Sequence, residues 1–170
     1  MCADSGSGCP LADAVCTGLG LPLPQRFHGR DTGRAMSREN VSKVESLYSE
    51  CWAPANLDRV PAILHPEIVW TAIESAPDAG TRRGHAEARA YMNDWLEDFD
   101  FEAMPVDEVG TADGGRLACS LAAAGTAKRT GLTTEIRYAA VFRFAGDGRI
   151  IEIHEYATTS EALEAVGLSE

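Results

Sequence analysis

The sequence lacks any apolar run long enough to cross a membrane as a helix, and its first residues lack the basic segment and apolar core of a secretion signal. Positive charge is also scarce. Fifteen Lys and Arg stand against 26 Asp and Glu, a formal net charge of −11 at pH 7. Such a chain has little with which to neutralise a run of phosphates, so neither nucleic acid nor an anionic membrane is expected as a partner. The acidity reads as solubility, and a cytoplasmic location is expected. The five cysteines form no C-x-x-C pair: Cys2, Cys9 and Cys16 are evenly spaced near the N-terminus, and Cys51 and Cys119 are isolated beyond them. His65 and His85 sit at expected helix ends with no partner at ligand spacing. No metal and no cofactor are therefore expected, and the thiols read as incidental. G-x-S-x-G, a phosphate-binding glycine loop and a Cys-His pair with an orienting group are all missing, which removes the nucleophile and nucleotide classes those motifs mark.

At 170 residues, 45% of them hydrophobic, the chain suits one domain with a sizeable core. Residues 1–35 are rich in Gly, Pro and Ser without periodicity and read as a disordered leader, with Met36 as the start of a domain running to residue 170. Ser37 is placed to cap a helix whose apolar face is Val41, Val44, Leu47, Tyr48 and Cys51, with Trp52 at its edge. "NLDRVPAILHPEIVW" predicts a short helix capped by Asn56, then a strand through Ile68 and Trp70. After the polar loop "ESAPDAGTRRG", a third helix carries Ala88, Tyr91, Met92, Trp95, Leu96 and Phe99 on one face. Strand patterns follow in "FEAMPVDEVG", "RLACSLAAAGTAKRT", "TTEIRYAAVFRF" and "RIIEIHEYAT", and "SEALEAVGL" predicts a last helix capped by Ser160 and closed by Gly167. Helices first and a meander of strands after them make the fold class α+β.

One charged residue is placed inward by this pattern. In "TTEIRYAAVFRF" the residues Ile136, Tyr138, Ala140, Phe142 and Phe144 share a face opposite Glu135, Arg137 and Arg143, so the first set faces the core. The hairpin through "AGDG" then carries the face across. A four-residue loop opposes Tyr138 to Glu155, and a two-residue turn shifts the register by two without exchanging faces. In both cases Glu155 points in beside Ile151 and Ile153, and His154 points out; only an odd loop or a bulge reverses this. Burial disfavours a carboxylate's charged form, which is how a general acid or base is tuned.

The opening "MSRENVSKVESLY", then "LHPEIVW", "PDAGTRRGHAEARAY", "YAAVFRFAGDGRIIEIHEY" and the ending "EALEAVGL" resemble the SnoaL-like, steroid-isomerase-like superfamily, also called nuclear transport factor 2 like, over Met36 to Leu168. The resemblance implies a cone-shaped α+β barrel, in which a curved antiparallel sheet wraps around N-terminal helices and leaves an apolar pocket, and it implies a homodimer formed through the sheet. Steroid isomerases of the superfamily use a tyrosine on the first helix and two aspartates. The matching positions here are Tyr48, Ala72 and Ala140, so their proton shuttle is not expected. Polyketide cyclases resemble the chain in "GRIIEIHE", where Glu155 falls at their aspartate acid/base. The candidate catalytic residues are therefore Glu155, Tyr48 and Tyr138, and the candidate pocket lining is Trp70, Tyr91, Trp95, Ala140, Phe142 and Ile153. An inward tyrosine or aromatic row is also what an ordinary core contains. Two functions remain open: acid/base isomerisation, cyclisation or hydrolysis of a small apolar molecule, or a non-catalytic ligand-binding or dimerisation module of the same shape.

Overall fold

The computed structural model describes residues 29–112 and 115–168. The expected leader lies outside them as far as residue 28, together with Cys2, Cys9 and Cys16. Helix α1 spans Gly29–Ser46, so it begins ahead of the expected cap Ser37, which lies within it. It runs straight into a π-helical turn, Leu47–Trp52. That wider turn, seen in the bond from Ala53 N–H to Tyr48 C=O, lets the adjacent Cys51 and Trp52 both face inward beside Val44, Leu47 and Tyr48. A 3₁₀ turn at Leu57–Arg59 and the one-turn helix α2, Val60–Ile63, follow. Asn56 stands at the head of the 3₁₀ turn, but its side chain makes no capping bond.

The remaining elements are β1 (Leu64–Thr71), β2 (Thr81–Arg83), α3 (Gly84–Asp98), β3 (Phe99–Ala103), β4 (Val106–Ala112), β5 (Arg116–Ala127), β6 (Thr133–Phe144), β7 (Ile150–Tyr156) and α4 (Thr159–Ala165). They form one seven-stranded sheet in the order β2-β1-β7-β6-β5-β3, with β4 also paired to β5. The sheet is curved and open, and the class is α+β. All pairs are antiparallel except β1 with β7, which run parallel. The segment expected as one strand from Phe101 to Gly110 is two, β3 and β4, parted at Met104 and Pro105, because proline has no N–H to give the ladder. The last helix is capped by Thr158 rather than Ser160. Thr158 and Glu161 form a capping box in which each side chain accepts the other's main-chain N–H.

The main core lies between the helices and the inner face of the sheet, with Tyr48, Ile68, Trp70, Met92, Phe142 and Ile153 fully buried. Helix α4 covers the outer face, where Ala118, Ala139 and Val141 pack against Ala162, Leu163 and Val166. A close approach on β5 explains one glycine. A Cβ at Gly125 would lie 2.9 Å from the Asp100 carbonyl oxygen and 3.1 Å from the Phe101 ring. That oxygen belongs to β3, paired to β5 at this point, and cannot yield without opening the ladder. Gly125→Ala is therefore expected to destabilise the protein by about 1–3 kcal/mol. Urea unfolding checks it, and an unchanged midpoint would show that β3 shifts freely.

Candidate functional site

Glu155 is the one buried charged residue among the described residues, at 5% exposure. Its orientation comes from the β6–β7 hairpin. Phe144 pairs with Ile150, leaving an odd loop, and the register then shifts so that Arg143 pairs with Glu152 and Ile151 stands unpaired. The odd loop exchanges the faces and the bulge exchanges them back. Beyond the bulge Phe142 opposes Ile153 and Ala140 opposes Glu155, the register of the two-residue-turn alternative. Ile151 is the exception to the expected alternation. It is half-buried, and Ile150 takes the inner place.

Two donors hold the carboxyl group. Trp70 Nε1–H, from the parallel neighbour β1, donates to Glu155 Oε1 at 3.0 Å, and the Tyr91 hydroxyl, from α3, donates to Oε2 at 3.3 Å. These bonds favour the ionised form, but burial outweighs them and pushes the Glu155 pKa up to about 7. Asp78 pushes in the same direction as burial, and Arg82 opposes it. The Arg82 guanidinium carbon lies 4.3 Å from the centre of the Tyr91 ring, and its N–H groups donate to the main-chain oxygens of Asp78 and Gly80.

Glu155 borders a cavity of about 230 Å³, closed on the helix side by Trp52, Tyr91 and Trp95 and on the sheet side by Phe101, Ala123, Ile136 and Tyr138. Of the expected catalytic residues, Glu155 and Tyr138 line it. Tyr48 does not. It is fully buried beneath the wall, stacked on Trp52 at 5.8 Å with its edge to Phe142 at 6.4 Å. Its hydroxyl lies near enough to Tyr138 for each to affect the other's ionisation, yet it makes no well-formed hydrogen bond among the described residues. Burial, first, and the neighbouring charge of Glu155 hold the phenols of Tyr91 and Tyr138 well above their ordinary range, so both remain donors at neutral pH. Of the expected lining, Tyr91 and Trp95 border the cavity. Trp70, Ala140, Phe142 and Ile153 are fully buried behind it, Trp70 within reach of Glu155 and Ala140 facing it across the ladder.

The loop read as a polar connection contributes Ala76, Pro77 and Asp78 to the cavity wall, and Ile73, just ahead of it, joins them. Asp78 is tied there by Trp95 Nε1–H, which donates to its Oδ2 at 2.9 Å. A turn-rich stretch shows no periodicity that would reveal which of its residues turns inward. Among the described residues no group of three or more His, Cys, Asp or Glu side chains is placed to hold a metal. Burial raises the thiols of Cys51 to about 11 and Cys119 to about 12, so neither is a thiolate at neutral pH. No helix among the described residues is long and apolar enough to cross a membrane.

An open curved sheet folded over helices, with one buried carboxyl at the edge of a cavity between them, defines a cone-type α+β protein. The chain belongs to the SnoaL-like domain family, whose model matches residues 44–153. Among solved structures it is similar to a candidate isomerase from Bacillus subtilis, at 15% identity over 78% of this chain and 94% of that one, with a TM-score of 0.63. It is also similar to a candidate polyketide cyclase from Xanthomonas campestris pv. campestris, at 16% identity over 77% and 98%, TM-score 0.58. A third likeness is to an epoxide hydrolase from M. tuberculosis, at 19% identity over 76% and 85%, TM-score 0.54. At these identities the likeness is one of fold. By sequence, the chain matches no protein of curated function.

Proposed function

We propose that this protein binds a small, largely apolar molecule in the cavity and moves a proton on it, with Glu155 as the acid/base. The observation that carries this reading is the Glu155 carboxyl group, buried at the edge of an apolar cavity with its pKa near 7. A group with that pKa exchanges a proton in either direction at neutral pH, so it can take one from a carbon beside a carbonyl, or from water, and return it elsewhere. Trp70 and Tyr91 orient the carboxyl group and temper the cost of its charge. Tyr138, on the cavity wall and protonated, is the donor proposed for negative charge developing on a substrate oxygen. The relatives named isomerase, cyclase and epoxide hydrolase share the need for a placed acid/base, which agrees with this reading without selecting among them.

The alternative, a binding module without turnover, is favoured by Ala72 and Ala140, which stand where steroid isomerases carry carboxylates. Exchange of solvent deuterium into a panel of enolisable ketones, followed by NMR, and turnover of a panel of small epoxides separate the two. Catalysed exchange or hydrolysis that falls by about 10²-fold or more in Glu155→Gln supports the acid/base role. Binding without either reaction supports the module, and activity that survives the substitution sinks the role given to Glu155.

A further inference from the structure

The walls of the cavity carry an imbalance of charge. Two carboxyl groups, Glu155 and Asp78, border it, and no Lys, Arg or His among the described residues does. Asp78 forms no ion pair among the described residues; Trp95 takes one of its carboxylate oxygens, and Arg82 binds its main-chain oxygen instead. The other walls include the rings of Trp52, Tyr91, Trp95 and Phe101. Aromatic faces attract cations through their negative π-surface, Trp most strongly, and the attraction grows where water is excluded. The structure already holds one such pair, because the Arg82 guanidinium lies over the Tyr91 ring from the neighbouring groove. A neutral apolar ligand would use the rings but offer no charge to the Asp78 carboxylate, whose hydrogen bond from Trp95 carries none.

From this juxtaposition we infer that the natural ligand is a small apolar molecule carrying a protonated amine, whose ammonium group sits between the Asp78 and Glu155 carboxylates and the aromatic walls. The inference rests on the cavity being a ligand site and adds the ligand's chemical class. It also makes binding depend on pH. The groups facing Glu155 are Trp70 on β1, Arg82 on β2, Tyr91 on α3, Tyr48 on the π turn, Tyr138 on β6 and Asp78 on the loop. Trp70 does not titrate, and burial keeps the phenols protonated. Glu155 is therefore the group that ionises near neutrality, and its carboxylate form is the better partner for a cation.

The test compares 2-phenylethylammonium with 2-phenylethanol, two ligands with one apolar body and different charge, by tryptophan fluorescence and calorimetry on the full chain. The ammonium ligand should bind about tenfold more tightly at pH 8, in line with a cation among aromatic and anionic walls. Its affinity should rise between pH 6 and pH 8 while that of the alcohol stays level. Asp78→Asn, a change in an exposed loop, should reduce the preference severalfold without unfolding the protein. Equal binding of the two ligands, or a preference unchanged in Asp78→Asn, would overturn the inference while leaving the cavity as a site for neutral molecules. Failure of both ligands to bind at millimolar concentration would overturn it together with the reading of the cavity on which it rests.

Discussion

Glu155→Gln should gain stability relative to the parent by about 2.5 kcal/mol as the pH is raised from 5 to 8, the greater part of the full linkage. Glu155 has its pKa raised from the ordinary 4.5 to about 7 in the folded protein, with burial as the largest cause. Between those values the folded state binds more protons than the unfolded one, so the parent loses stability as pH rises through the window, and the cost is fully present above pH 7. A displacement of that size corresponds to about 3 kcal/mol at 1.36 kcal/mol per pKa unit. Glutamine keeps the shape and does not titrate, so the difference between the two proteins isolates this one group. At pH 5 the variant should be about as stable as the parent, because a protonated carboxyl and an amide each offer an acceptor to the Trp70 N–H and a donor to the Tyr91 hydroxyl oxygen. Urea unfolding at a series of pH values measures the difference. Two stability curves running parallel from pH 5 to pH 8 would mean that Glu155 is not desolvated and would remove the basis for its proton chemistry.

Trp70→Ala should cost about 3–5 kcal/mol, a large share of the stability of a domain this size. Trp70 is fully buried, with its ring edge-on to Trp52 at 5.6 Å and to Tyr91 at 5.4 Å, so truncation opens a hole on the helix side of the sheet. It also removes the shorter of the two hydrogen bonds to Glu155. The two effects separate in Trp70→Phe, which restores most of the volume but not the N–H. That variant should recover much of the stability while the Glu155 pKa moves above 7, since a bond that favoured the charged form is gone. Thermal unfolding gives the first quantity and carbon-detected carboxyl titration by NMR the second. A Glu155 pKa unmoved in Trp70→Phe would show that the indole N–H does not act on the carboxyl group.

Much of the inward placement of Glu155 is local in origin. The two-residue period of a strand sets Glu155 with Ile153 and against His154, and the apolar row Tyr138, Ala140, Phe142 names the inner face of the neighbouring strand. The three- and four-residue spacing of Val44, Leu47, Tyr48 and Cys51 likewise settles which side of the first helix is buried. These features were legible because each depends on a period contained in a few neighbouring residues. Pairing was not legible in the same way. An odd loop and a bulge, either of which alone would have turned Glu155 outward, cancel in the β6–β7 hairpin, and the strand pattern contains no record of either. Trp70 reaches Glu155 because β1 lies beside β7 in a register that sets Trp70 against Ile153, a contact between residues distant in the chain. Asp78 turns inward because Trp95, on a different element, holds it there. The sequence by itself thus determined the α+β class and the faces of its elements, since side-chain alternation is a property of each element alone. Only the tertiary structure decided which groups meet at the cavity, because strand register and loop closure are settled by contacts between elements that no local period encodes.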